Sequence, residues 1–158
     1  MAFPLFNPVF SDSSVKPCIS FTVIWFDDDM VELKVQVSDG RSVFVNEVYI
    51  GHQQLADMVK DLERFKSHVH GGIFDMAFGS FGPEYASGAF HARLHFQERG
   101  ILFITVKSQS DFWGFGKKNV ASEATLYLRT EPALLDNFIE ELRQLSGRRR
   151  DEALLEAI

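Results

Sequence analysis

The chain has 158 residues, a length that suits one domain, and its 46% hydrophobic and 24% charged content belongs to a packed protein, not a disordered one. A formal net charge of −6 works against a nucleic-acid partner, which would need a local basic patch, and favours a basic protein partner. The single cysteine, Cys18, excludes an intrachain disulfide and a cysteine-built zinc cluster, and suits a reducing cytoplasm.

The opening "MAFPLFNPVF" lacks the basic and continuous apolar regions of a signal peptide, and Pro4 and Pro8 interrupt it. No run reaches the ~18 apolar residues that cross a bilayer, so a cytoplasmic protein without membrane contact is expected. Residues 1–17 read as an extended apolar arm, with Phe3, Leu5, Phe6, Val9 and Phe10 punctuated by prolines. Its rings are expected to lie across the domain's own surface, the alternative being a second subunit or another protein.

From Ile19 three strands follow: "ISFTVIWF", "MVELKVQV" and "RSVFVNEVYI". Val31, Leu33, Val35 and Val37 alternate with polar residues, the period of a half-buried strand. Asp39-Gly40 suits a two-residue hairpin turn, which would set Val35 against Phe44 and Val31 against Val48. Asn46 then falls opposite Leu33, an imperfect register. "GHQQLADMVKDLERF" is helical, with Leu55, Met58, Val59, Leu62 and Phe65 on one face.

"IFDMAFG" is a short strand and "FGPEYASG" a loop. The pair "AFHARLHFQ" and "ILFITVK" around Glu98-Arg99-Gly100 predicts a hairpin with a three-residue loop. That choice pairs Phe96 with Leu102, Leu94 with Ile104 and Ala92 with Val106 on one apolar face. On the other face His91 then lies opposite Lys107, Arg93 opposite Thr105, and His95 opposite Phe103. In "SEATLYLR", Leu126 and Leu128 turn inward while Tyr127 and Arg129 turn outward.

Thr130 is placed to cap a second helix, with Pro132 in its first turn and Leu134, Leu135, Phe138, Ile139, Leu142 and Leu145 as its stripe. Gly147 ends it, and the tail 148–158 adds a helical turn or frays. No internal repeat, linker or low-complexity run is visible. The order βββ-α-ββββ-α predicts an α+β domain over 18–147: one mainly antiparallel sheet of six to seven strands, both helices on one face and the other face partly wet.

Few residues suggest chemistry. His68 and His70 form an H-x-H pair without evident adjacent carboxylate ligands, although Asp75 is near in sequence, and His91 and His95 are about 13 Å apart along a strand, too far to share an ion. "GSFG" lacks the spacing of a nucleophile elbow, and "GFGKK" is followed by a strand, not by the helix of a phosphate loop. Asp27, Asp28 and Asp29 read as a solvated corner, and Arg148-Arg149-Arg150 as a solvated helix end. No catalytic residue, metal or cofactor is assigned.

The stretch "SQSDFWGFGKKNV" is the other notable feature. Gly114 and Gly116 permit sharp folding, so Phe112, Trp113 and Phe115 either cap the core or stand out as an aromatic knob of the kind that dominates interface hot spots. With the outward His91, Arg93, His95, Phe103 and Lys107 they form the candidate binding face.

The segments "NEVYIGHQQLADMVKDLERF", "FGPEYASGAFHARLHF" and "LYLRTEPALLDNFIEELRQL" resemble a loose group of small bacterial proteins of unknown function, over roughly residues 19–146. Some of that group are suspected immunity or toxin-neighbour proteins. The resemblance implies this fold and carries no site residues. Three functions are expected in order: a non-enzymatic protein-binding module of immunity type, directed at a basic toxin; a small-ligand binder or enzyme using the polar sheet face; and a homodimer joined through the arm.

Overall fold

The computed structural model describes residues 15–158. The expected arm over 1–17 lies almost wholly outside the described residues. Strands β1 (Cys18–Phe26), β2 (Met30–Ser38) and β3 (Val43–Gly51) precede helix α1 (His52–Phe65). Then come β4 (Ile73–Phe78), β5 (Ala89–Glu98), β6 (Ile101–Gln109), a short ribbon β7 (Trp113–Phe115) and β8 (Lys118–Val120), and β9 (Glu123–Thr130). Helix α2 (Pro132–Ser146) and strand β10 (Glu152–Glu156) complete the chain.

The α+β class and the antiparallel pairing are as expected, but the single sheet of six to seven strands is not. A first sheet has the order β10-β1-β2-β3, a second β4-β5-β6-β9, and the ribbon stands alone. The cause is the tail, which neither turns helical nor frays. Ala153 and Leu155 alternate inward and are buried, so β10 pairs with β1 from Cys18↔Glu156 to Thr22↔Glu152. Each sheet is thereby an antiparallel array of four strands whose last member leads into a helix. Each helix in turn leads to the first strand of the other sheet. The fold is two ββββα units, one of them closed by the C-terminus, although no repeat is visible in the residues.

Both sheets and both helices share one core. Phe21 at the centre of the first sheet meets Phe78 and Phe90 of the second edge-on, at 5.1 and 5.6 Å between centroids, and Phe138 of α2 at 5.8 Å. Large rings in such edge-to-face contact combine apolar burial with favourable quadrupole geometry. The predicted face of α1 is buried in full, and that of α2 is buried except for the half-buried Leu134. Between the helices, Arg143 pairs with Glu63 of α1 and Glu140 of its own helix.

Three local expectations are corrected. The β2–β3 connection has four residues, so Val37 faces Phe44, Val35 faces Asn46 and Leu33 faces Val48. The Asp39 carboxylate accepts the Arg41 and Ser42 amides at 2.8 and 2.7 Å, which favours the longer turn. In that register Asn46 points inward and is useful there. Its Nδ2 donates to Ala89 O at 3.1 Å and Gln109 O at 2.8 Å, tying β3 to the second sheet. Thr130 does not cap α2; its buried hydroxyl donates to Glu156 O at 2.7 Å and holds β10. The N-cap is Glu131, with Pro132 at the first helical position.

The β5–β6 hairpin has the predicted pairs Leu94↔Ile104 and Ala92↔Val106. Its loop is a two-residue Arg99-Gly100 turn closed by Glu98↔Ile101, with a shift in register between His95 and Glu98. The extra residue sits in a bulge instead of the loop, which preserves the same inward face.

Candidate functional site

The outward face of the second sheet is a grid of three rows of four side chains, one from each strand. The rows are Ile73–His95–Phe103–Arg129, then Asp75–Arg93–Thr105–Tyr127, then Ala77–His91–Lys107–Thr125. Period-2 alternation along each strand fixes this face, because the opposite side chains, from Met76 to Leu128, are sealed in the core. Each row spans about 14 Å at the usual ~4.8 Å between strands. All three predicted outward pairs, His91 with Lys107, Arg93 with Thr105 and His95 with Phe103, are present.

The electrostatics of this face are opposite to those of the whole chain. Within these three rows Asp75 is the lone carboxylate, set against Arg93, Lys107 and Arg129 and two histidines; the next carboxylate on this side, Glu123, accepts a bond from Gln109 Nε2 at 2.7 Å. Arg93 grips Asp75 with two bonds, Nε to Oδ1 at 2.9 Å and Nη2 to Oδ2 at 3.1 Å, and His91 Nε2 lies 3.1 Å from the same Oδ1. The Arg93 bond holds the Asp75 carboxyl below its ordinary range, aided by the charges of Arg93 and His91, and Asp75 raises Arg93 in return. Among the described residues neither Lys107 nor Arg129 forms an ion pair. The face is open: Arg93 and Lys107 are exposed, and His91, His95 and Phe103 are half-buried. Tyr127 is 70% exposed and Ile73 54%, both large apolar bodies left in water on one sheet.

The aromatic stretch extends the β6–β9 hairpin beyond the last row. Gln109 pairs with Glu123, Ser110 N–H donates to Ser122 O, and β7 and β8 continue as a ribbon turned at Gly116, whose φ is +65°. Phe112 is half-buried at its base. Trp113 and Phe115 stand 49% and 59% exposed and pack edge-on at 5.7 Å. They do not close the end of the core. A cleft of about 520 Å³ lies at the opposite end of the sheet, between Phe103, Tyr127 and Arg129 on one side and Pro17 and Ile158 on the other.

Alternation alone turns Tyr127 and Arg129 outward, but nothing local to β9 shows that they join the β5–β6 column. Asp75 was visible only as a neighbour of the H-x-H pair. Among the described residues no group of three His, Cys, Asp or Glu side chains is placed to hold a metal ion. No described helix is long and apolar enough to cross a membrane. Compared with family models, curated proteins and solved structures, the chain matches none.

Proposed function

We propose that this chain is a non-enzymatic protein-binding module of a bacterial cytoplasm, whose recognition surface is the outward face of the second sheet together with the β7–β8 ribbon. One observation carries the reading: on an acidic chain, the three rows of this face hold a single carboxylate, already neutralised by Arg93, and keep Lys107, Arg129 and Tyr127 in water, with Trp113 and Phe115 exposed on the ribbon beyond them. Arg, Tyr and Trp are the residue types that carry most binding energy at protein interfaces. The same face argues against an enzyme, since His91, Arg93 and Asp75 lie on an open surface where water screens charge.

The partner's contact patch is acidic. The net charge of −6 steers the whole molecule toward a basic partner, but the side chains on this face complement the opposite sign. Two copies of the face would set cation against cation, so the occupant is a different protein. The immunity-type role, blocking a toxin by covering its working surface, rests on the resemblance of the helix-bearing segments and takes this face as the blocking surface.

The test compares proteins retained by the wild-type chain with those retained by R129E/Y127A, and by K34E on the far side of the first sheet as a control. A partner that is lost with the first variant, kept with K34E and weakened by salt supports the reading. A partner retained by both variants, or none above background, overturns it.

A further inference from the structure

A second cleft, of about 200 Å³, opens where the β1–β2 corner, the start of α1 and the end of α2 meet. Its floor is apolar, formed by Val23, Val31, Leu55 and Leu145. Phe26, 54% exposed as a residue, walls one side. The rim carries His52, Arg148 and Arg150 against the one carboxylate of Asp151. A dry cavity of about 150 Å³ takes up benzene, so this volume suits a single ring or branched chain with a small polar head.

Arg148 reaches this rim from a strained backbone position. The end of α2 is a Schellman turn, in which Arg148 N–H donates to Leu145 O at 3.1 Å and Arg149 N–H to Gln144 O at 2.8 Å. Such a turn needs one left-handed residue, ordinarily glycine. Gly147 is adjacent but takes φ −81°, and Arg148 takes φ +59°, the one positive φ outside glycine among the described residues. The strained residue places its guanidinium 4.9 Å from the centroid of the Phe26 ring and its Nη2 3.0 Å from His52 Nε2. Strain of this kind clusters where a side chain must be aimed.

Donors outnumber acceptors at the rim. His52 Nε2 lies 2.7 Å from Asp27 O, a contact that is a hydrogen bond in the tautomer with the proton on Nε2, because a carbonyl accepts. Arg148 Nη2, also a donor, lies 3.4 Å from the same oxygen. In that tautomer two N–H groups face each other across one shared acceptor. Neither side chain bonds a carboxylate among the described residues: Asp27 Oδ1 accepts the Asp29 and Met30 amides, and Asp151 makes no bond to Arg148 or His52. Arg150 is engaged by Glu141 and by Glu152 O. An incoming oxyanion supplies the missing acceptor, and the apolar floor takes its body.

We propose that this cleft binds a small organic carboxylate with a compact apolar body, the head held by Arg148 and His52 and the body seated against Phe26 and Leu55. This site is separate from the sheet face and does not depend on the function assigned to it. The test is an amide NMR titration of the whole chain with benzoate, with benzamide (the same shape, uncharged) and with inorganic phosphate (charged, without a body). Saturable shifts at Phe26, His52, Leu55 and Arg148 are expected for benzoate, with at least tenfold weaker binding of the other two. Arg148→Gln should weaken benzoate at least tenfold. Arg148→Gly should do the same while melting at a higher temperature, because glycine relieves the left-handed strain, and this separates lost binding from lost folding. Benzoate binding that survives Arg148→Gln, equal binding of benzamide, or no saturable shift would overturn the proposal.

Discussion

Asp75 shows how one residue sets the character of a surface. Two bonds from Arg93 and a contact from His91 keep it ionised, and its folded pKa lies below the unfolded value of about 3.9. A carboxylate with a depressed pKa stabilises the fold above its unfolded pKa, and that contribution is lost as the pH falls through the folded value. Wild type should therefore exceed Asp75→Asn in stability by a constant margin near neutrality, shrinking toward zero below about pH 4. Urea melts of both proteins from pH 7 to 2 check this. Because the pair is well exposed, solvent screening keeps the margin small. Arg148 makes a different point. In the sequence it belongs to a charge run beside acidic residues, and only the left-handed turn at the end of α2 aims it at Phe26 and His52.

At the scale of elements, β10 is the strand on which the first sheet depends. Leu155 is 2% exposed and Ala153 is fully buried, and together they cover the inward side of the edge beside Ile19 and Phe21. Leu155→Ala should cost about 2–5 kcal/mol, as buried leucine truncations do, read from the urea midpoint. A chain ending before Glu152 should expose the β1 edge and associate, as seen by light scattering, because an unpaired apolar edge templates further pairing. The contrast with β5–β6 explains why one element was legible and the other was not. Nine to ten residues on each side of a Gly turn leave one face apolar throughout, from Ala92 and Leu94 to Ile104 and Val106, so local pattern decided it. The β10 segment has five residues beside an arginine run, too few to separate strand from helix end, and its partner β1 lies at the other end of the chain.

For the whole molecule, the question is whether two sheets behave as one body. The ring contacts of Phe21 and the bonds of Asn46 both cross between the sheets, so unfolding should be a single transition. Tryptophan fluorescence, which reports Trp25 in the first sheet and Trp113 in the ribbon, should coincide with far-UV circular dichroism. Asn46→Leu keeps roughly the same volume but leaves Ala89 O and Gln109 O without their donor. At about 1–3 kcal/mol for a buried group left unsatisfied, it should lower the shared midpoint without splitting the transition. Separate transitions for the two probes would show that the sheets fold independently.

The sequence by itself determined the α+β class, the faces of both helices, the outward columns of β5 and β6, and the alternation that turns Tyr127 and Arg129 to solvent. All of these follow from periodicity within one segment, where a side chain's direction is set by neighbours two to four positions away. The tertiary structure alone decided the division into two sheets, the capture of the C-terminus by β1, the assembly of four strands into one cationic and aromatic face, and the meeting of Phe26, His52 and Arg148 at a cleft. The donor pair His52 and Arg148 stands 96 positions apart in the chain. Contacts of that range are chosen by which buried surfaces and unpaired edges find each other, and no local pattern encodes the choice.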